Sequence, residues 1–363
     1  MTIQGLHHIT LVCANAQRTV NFYTQVLGLR LVKKTVNFDD PGSYHLYFGD
    51  AVGSPGSAIT FFEWPQAPKG YPGVGGTHHF ALRVADYDGL LKWKRRLTDL
   101  GLSVEGPLDR RYFVSIYFND PDGTIIEIAT DGPGFTADEP AESLGSEYRQ
   151  PPPAMVVNSR DEARIQALTW PEAVPVITSD MALQRGMHHI TAIGADIKRT
   201  HAFFGELLGL RLVKMTSNFD DPKSAHWYWG TGNGEPGTLI TYFERDPARS
   251  KVKMGSGQTH HFAFSVPDRE TQLAWREKLR QAGLQVSPVM NRIYFESIYT
   301  HDPDGHIVEL ATAGPGFLVD EPEAELGQGL KLPPWLEQNR KTIASLLRPI
   351  ETPSWPLLTG LSH

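Results

Sequence analysis

Cysteine is nearly missing. Of 363 residues only Cys13 carries a thiol, so no intrachain disulfide can form and zinc-ribbon chemistry is excluded. Long apolar runs are missing too: no stretch of roughly eighteen apolar residues occurs, which excludes an ordinary transmembrane helix. The N-terminal MTIQGLHHITLVCANAQRT lacks the basic region and apolar stretch of a signal peptide. There is no excess of positive charge. Lys and Arg number 34 against 41 Asp and Glu, a formal net charge of −7 with no basic stripe, which argues against a nucleic-acid backbone or an anionic membrane as partner. No glycine-rich phosphate fingerprint is present. With 40% hydrophobic and 21% charged residues, the expectation is an ordinary globular protein in a reducing, cytoplasmic setting that handles small molecules.

What the chain does contain, it contains twice. GLHHIT at 5–10 returns as GMHHIT at 186–191, THHFAL at 77–82 as THHFAF at 259–264, and IIEIAT at 125–130 as IVELAT at 307–312. Between these, FYTQVLGLRLVKKTVNFDDP (22–41) matches FFGELLGLRLVKMTSNFDDP (203–222) at fourteen of twenty positions. A period near 182 residues is far longer than a solenoid repeat and indicates duplication of a whole domain. The copies extend to DGPGFTADEP at 131–140 and AGPGFLVDEP at 313–322, so each carries its own C-terminal extension. The expected domains are 1–135 and 186–315, with a Pro-rich linker at 136–185 and a tail at 316–363.

Each half subdivides again into two units of the order strand, helix, three strands. HHITLVCA alternates like a strand, and QRTVNFYTQVLG places Val20, Tyr23, Val26 and Leu27 on one helical face, with Gly28 as its left-handed terminator. Strands are expected at LRLVKKTV, YHLYFG and AITFFEW. The second unit repeats the scheme with THHFALRV, a helix over DGLLKWKRRLTDLG, and strands near LSVEG, YFVSIYFND and TIIEIAT. Asp120-Pro121-Asp122-Gly123 and Asp302-Pro303-Asp304-Gly305 read as hairpin turns. Four units, at 5–63, 77–130, 186–244 and 259–312, give an α+β protein of four βαβββ modules in two duplicated domains. Short helices are expected in ARIQAL and LEQNRKTIASLL of the linker and tail.

Eight of the fourteen histidines lie in four His-His pairs, each at the start of a module. The second His of each pair falls on a first strand: His8, His79, His189 and His261. Glu127 and Glu309 fall on the last strands of the second and fourth modules. Two neutral imidazoles and one carboxylate can occupy one face of a divalent metal and leave positions open for substrate or oxygen, so these residues point to a catalytic metal. The residues alone allow the sets to be contained within each half or crossed between halves. Strand alternation sends His7, His78, His188 and His260 to the opposite face unless the strands are bulged.

The module order and these motifs, together with LHHIT (6–10), LRLVKKTVNFDDPGSYHLYFG (29–49), HHFAFSVPD (260–268) and NRIYFESIY (291–299), resemble the vicinal oxygen chelate superfamily, the glyoxalase/bleomycin-resistance/dioxygenase fold. Within it the chain looks most like the hydroquinone ring-cleaving dioxygenases. The resemblance implies a non-haem Fe(II) extradiol-type enzyme, with Mn(II) as the substitute ion, that cleaves an aromatic diol with O2. It also implies a crossed ligand set, His8, His261 and Glu309, and catalytic or supporting roles for His7, Thr10, His260, Arg292 and Tyr299. Here the mirror set His189, His79 and Glu127 is intact as well, with Arg110 and Tyr117 matching Arg292 and Tyr299, so a second site is expected as an option.

Two rival readings share the fold. A glyoxalase-type lyase needs a fourth ligand, commonly Glu, on the last strand of the first module, where this chain has Thr60 and, in the copy, Thr241. A metal-free binding protein would leave Glu127 and Glu309 buried without a cation, which is costly. His45 and His226 match between copies but sit in aromatic strands and read as core. His301 and His306 read as surface-turn residues. The oligomeric state stays open.

Overall fold

In the computed structural model, residues 1–353 are described; the last ten residues of the expected tail 316–363 lie outside them. The first module supplies β1 (Gly5–Cys13), β2 (Arg30–Asn37), β3 (Asp40–Gly49) and β4 (Ala58–Glu63), and the second β5 (Gly76–Val84), β6 (Glu105–Asp109), β7 (Val114–Asn119) and β8 (Ile125–Thr130). The third contains β9 (Met187–Gly194), β10 (Arg211–Ser217), β11 (Ala225–Gly230) and β12 (Leu239–Glu244). The fourth contains β13 (Thr259–Val266), β14 (Met290–Asn291), β15 (Glu296–His301) and β16 (Ile307–Thr312). The fold is α+β, four βαβββ modules, as the repeat predicts.

These strands form two eight-stranded sheets, and neither belongs to one half. One runs β14-β15-β16-β13-β1-β4-β3-β2, joining the first module to the fourth. The other runs β10-β11-β12-β9-β5-β8-β7-β6, joining the third to the second. In each, the seam is an antiparallel pairing of two first strands, β1 with β13 and β5 with β9. The duplicated segments 1–135 and 186–315 are thus units of sequence, while each sheet draws on both.

The helices follow their local signals. α1 (Ala16–Asn21) is capped by the Asn15 side chain on Arg18 N, then rewinds as a π turn over Phe22–Val26 before Gly28 turns left-handed at φ 72°. α2 (Tyr87–Asp99) begins at Asp86, which accepts from Gly89 N, and buries Leu90, Trp93 and Leu97, spaced for one face. α3 (Glu162–Ala167) and α6 (Arg340–Leu346) occupy the two expected linker and tail stretches. α4 (Ile197–His201) and α5 (Arg269–Gln281) repeat α1 and α2. One departure is the strand expected at LSVEG, which starts only at Glu105. Its counterpart β14 has two residues, paired with Ser297 and Glu296 of β15.

The repeated DEP motif explains itself through two buried lysines. Lys33 on β2 is fully buried; its Nζ lies 2.5 Å from Asp320 and contacts Glu321, over the Tyr294 ring at 4.9 Å. Lys214 on β10 does the same with Asp138, at 2.7 Å, and Glu139. Each half's C-terminal extension therefore clamps the other half's module. Lys33 Nζ also donates to the Phe317 carbonyl at 3.2 Å, and removing a carboxylate partner from so buried an ammonium would be costly.

Candidate metal centre

His8 on β1, His261 on β13 and Glu309 on β16 meet in the first sheet. His8 Nε2 and His261 Nε2 are 3.3 Å apart, and Glu309 Oε2 lies 3.3 Å from the first and 3.0 Å from the second. All three residues are buried. Although these distances would allow hydrogen bonds, Glu309 Oε2 has no hydrogen-bond partner among the described residues. Three potential ligand atoms thus converge on one point. Burial alone would raise the Glu309 carboxyl, but the neighbouring His8 and His261 overcome it and hold it well below the ordinary carboxylate range. Its other oxygen, Oε1, accepts from Ser297 on β15, which fixes the carboxylate plane. A charged donor and two imidazoles at one buried point fit a divalent first-row metal with open positions.

Behind the ligands the His-His pairs form a tautomer relay. His7 Nδ1 is 2.9 Å from His8 Nδ1, and His7 Nε2 is 3.2 Å from the Thr312 carbonyl. The carbonyl can only accept, so His7 carries its proton on Nε2 and accepts from His8 Nδ1–H. That leaves His8 Nε2 as a bare lone pair towards the ligand point. His260 Nδ1 is likewise 2.8 Å from His261 Nδ1. Burial, then the neighbouring His8, holds His7 down to about 3; burial, then His261, does the same for His260. Both are neutral imidazoles.

Bulges, the exception allowed to strand alternation, account for the leading histidines. The β1–β13 register steps from Leu6↔Phe264 to His8↔Ala263 and from Thr10↔His261 to Leu11↔Thr259, so His7 and His260 are the extra residues of two bulges. The β5–β9 seam skips His78 and His188 in the same way. A bulge re-aims one side chain without losing the ladder, which is why both members of a pair reach one site.

A cavity of about 300 Å³ opens over the ligand point, walled by Phe62, Phe295, His260, Tyr299, Arg292 and His45. Phe295 packs on His7 and His8 with ring centroids at 4.9 and 5.2 Å. Tyr299 sits across the strand pair from Glu309 and edge-on to His261 at 5.7 Å. Arg292 donates Nε–H to the Tyr299 oxygen at 3.1 Å and Nη1–H to Asp39 at 3.1 Å. With its oxygen accepting from Arg292, the Tyr299 hydroxyl proton is left to face the cavity. Burial, followed by the Glu309 charge, pushes the phenol up, so it stays protonated. Burial works against the Arg292 charge, but Tyr299 and Asp39 outweigh it and Arg292 stays cationic. Its aim is set by a tight turn in which Ile293 adopts φ 70°, a left-handed conformation a β-branched residue rarely takes, supported by Asn291 Oδ1 on its N–H at 2.7 Å.

Thr10 is not in the cavity wall. Its hydroxyl is 2.8 Å from Thr60, which bonds His45 Nε2 at 2.9 Å, and His45 Nδ1 bonds Tyr47 at 3.0 Å. His45 is therefore hydrogen-bonded as a core residue is, yet it also lines the cavity. His301 is exposed at the cavity rim, while His306 departs from the surface expectation: it is 3% exposed, packed against Phe262 at 4.8 Å with Nε2 3.3 Å from Thr77. Its backbone N–H is held by Asp302, and this turn folds the ring inward. Ser297, Phe295 and Asp39 escaped the sequence reading. For Ser297 a signal existed, since it lies two residues before Tyr299 on one strand face and recurs as Ser115.

A family model describes the Glyoxalase/Bleomycin resistance protein/Dioxygenase superfamily and matches residues 5–128 and 186–310. The chain belongs to this superfamily. Among its relatives is the chlorohydroquinone/hydroquinone 1,2-dioxygenase of Sphingobium indicum, 30% identical over 345 residues, covering 92% of this chain and 93% of that one. Two Bacillus subtilis matches carry the word putative in their descriptions. One is the ring-cleaving dioxygenase MhqA, 32% identical over 97% of this chain and 100% of its own. The other is a dioxygenase of known crystal structure, 30% identical with a TM-score of 0.77, covering 97% and 99%. Glyoxalase I from Zea mays shares the fold at 16% identity and a TM-score of 0.57, covering 85% and 92%. No helix among the described residues is long and apolar enough to cross a membrane.

Proposed function

We propose that the protein is a metal-dependent ring-cleaving dioxygenase of substituted hydroquinones or related aromatic diols. The observation that carries this is the buried His8–His261–Glu309 point, whose Glu309 Oε2 has no hydrogen-bond partner among the described residues, opening into an aromatic cavity lined by Arg292 and Tyr299. The relatives named as ring-cleaving dioxygenases match across nearly the whole chain. The ion is Fe(II), with Mn(II) able to substitute, and the reaction is extradiol-type in a reducing, cytoplasmic setting. Bound there, the ion supplies Lewis acidity to the diol and a route for electrons to O2.

The chain's own residues do the rest. His7 holds the His8 tautomer, Ser297 holds Glu309, and Thr10 holds the cavity-facing His45 through Thr60. Arg292 keeps Nη2 free to hold a phenolate oxygen by a charge-assisted hydrogen bond. Tyr299 presents its hydroxyl proton, and His260, with Nδ1 accepting from His261, presents Nε2–H. Both are donors to oxygen atoms of the reacting groups. Phe62 and Phe295 exclude water.

A lyase reading has less support: the position that would need a carboxylate is Thr60, whose hydroxyl is engaged by Thr10 and His45, and no fourth carboxylate joins the trio among the described residues. The test is oxygen uptake by anaerobically Fe(II)-loaded protein with hydroquinones and catechols, beside methylglyoxal–glutathione as an oxygen-independent control. Uptake with hydroquinone, lost in His261→Ala, is expected. Turnover of the control alone would place the protein with the lyases.

A further inference from the structure

The second sheet contains a complete copy of the centre. His79 Nε2 lies 2.9 Å and His189 Nε2 3.3 Å from Glu127 Oε2, with 3.3 Å between the nitrogens. Glu127 Oε2 is again buried with no hydrogen-bond partner among the described residues, and Ser115 again holds Oε1. Tyr117 and Arg110 stand as Tyr299 and Arg292 do, bonded at 3.2 Å, and Arg110 pairs with Asp220 at 2.7 Å, matching Asp39. Phe113 and His226 repeat Phe295 and His45 in the wall of a cavity of about 310 Å³. A duplicate drifting without use would be free to lose its buried carboxylate, the costliest member to keep without a cation.

The copies part beside the cavity: Trp64 stands behind the wall residues Phe62 and His260 of the first, whereas Arg245 lines the second. Just after β4 the first site has Trp64, its ring stacked on Phe62 at 5.9 Å and edge-on to His260 at 5.7 Å. The same seat after β12 holds Arg245, fixed by an identical backbone bond: Arg245 N donates to Gly194 O at 2.9 Å where Trp64 N donates to Cys13 O at 2.8 Å. Arg245 lines the second cavity, is partly buried, and its guanidinium has neither an ion pair nor a hydrogen bond among the described residues; its Nε is buried and unsatisfied. By contrast Arg110, in the same cavity, is held by Tyr117 and Asp220 just as Arg292 is held by Tyr299 and Asp39. A half-buried cation with a buried, unsatisfied Nε in the wall of a metal-type ligand set lacks an anion, and that anion is most simply supplied by a ligand.

We infer that His79, His189 and Glu127 form a second working centre, selective for aromatic diols bearing an anionic substituent such as a carboxylate, which Arg245 would bind, while the Trp64 site takes neutral diols. The inference rests on the dioxygenase reading only for the word diol; its metal and anion components are separable from turnover.

The test uses the full chain and four variants: His8→Ala/His261→Ala, which leaves the second centre, His79→Ala/His189→Ala, which leaves the first, Arg245→Trp placed on the former and Trp64→Arg placed on the latter. Metal analysis after Fe(II) or Mn(II) loading should give about two ions per wild-type chain and about one in each double variant. Anaerobic titration with hydroquinone and 2,5-dihydroxybenzoate should show the second centre binding the carboxylated compound about tenfold or more tightly over the neutral one, as loss of a charge-assisted contact implies. Arg245→Trp should erase that preference, and Trp64→Arg should create it in the first centre. One ion per chain, held by the first set alone, would overturn the second centre. Two ions with no anion preference, or a preference unmoved by either exchange at position 64 or 245, would overturn the selectivity. Anion-selective binding without oxygen uptake by any diol would instead overturn the dioxygenase reading and leave the second centre standing.

Discussion

Ser297 has no metal-binding chemistry of its own, yet the orientation of Glu309 depends on it. Its hydroxyl saturates Oε1 and so turns Oε2 towards the two imidazoles. Ser297→Ala removes a buried donor, leaves a carboxylate oxygen unsatisfied and lets the group rotate. The expected result is a loss of about ten- to a hundredfold in Fe(II) or Mn(II) affinity, the usual effect of removing a partner of a ligand, with little change in fold. Competition titration against a chelator measures it, and unchanged affinity would mean that the strand pairing alone aims Glu309. The ligands themselves were legible in the sequence because duplication wrote the same His-His, His-His, Glu order twice. Ser297 left a fainter trace, its recurrence as Ser115 on the face of Tyr299, and only the neighbouring carboxylate gives it a task.

Between single residues and the whole chain, the decisive features are the bulges and the lysine clamps. Hydrophobic periodicity identified every first strand and its helix, because burial of one face imposes the period. It could not show the bulges at His7, His78, His188 and His260, which depend on how two strands from distant segments pair. The DEP repeat was visible as a repeat, but its partner, Lys33 or Lys214, lies in the other half of the chain and nothing local links them. Lys33→Met would leave buried Glu321 with only the more distant Lys331, 3.9 Å away, at a cost of about 3 kcal/mol in unfolding free energy. Lys33→Met combined with Glu321→Leu should recover most of that loss, since replacing both partners removes the uncompensated charge. Urea unfolding of wild type, single and double variants gives the comparison. A double variant as unstable as the single one would place the cost in lost packing around Tyr294 rather than in the orphaned carboxylate.

The crossing of halves between sheets is the property least readable from residues, and only the family resemblance anticipated it. Two modules linked by a short loop could in principle close on each other. Here the short connections instead join modules lying in different sheets, and each sheet is completed by the partner half. The two seams are near copies: Thr10 faces His261 across one and Thr191 faces His79 across the other, with bulges at matching places. A fragment comprising residues 1–185 would therefore expose β1 and β5 as unpaired strands, each carrying apolar residues that are buried in the intact chain. Because β5 is the sequence copy of β13, β1 of one fragment can pair with β5 of another through the seam already present. This would bring His8 of one copy to His79 and Glu127 of the other. The expected species is a two-fold dimer binding two metal ions, seen as a dimeric mass in sedimentation with about one ion per fragment. A folded monomer without metal would show that the Lys33 clamp to Asp320 and Glu321, absent from this fragment, is needed to set the seam, and adding residues 186–363 in trans should then restore binding.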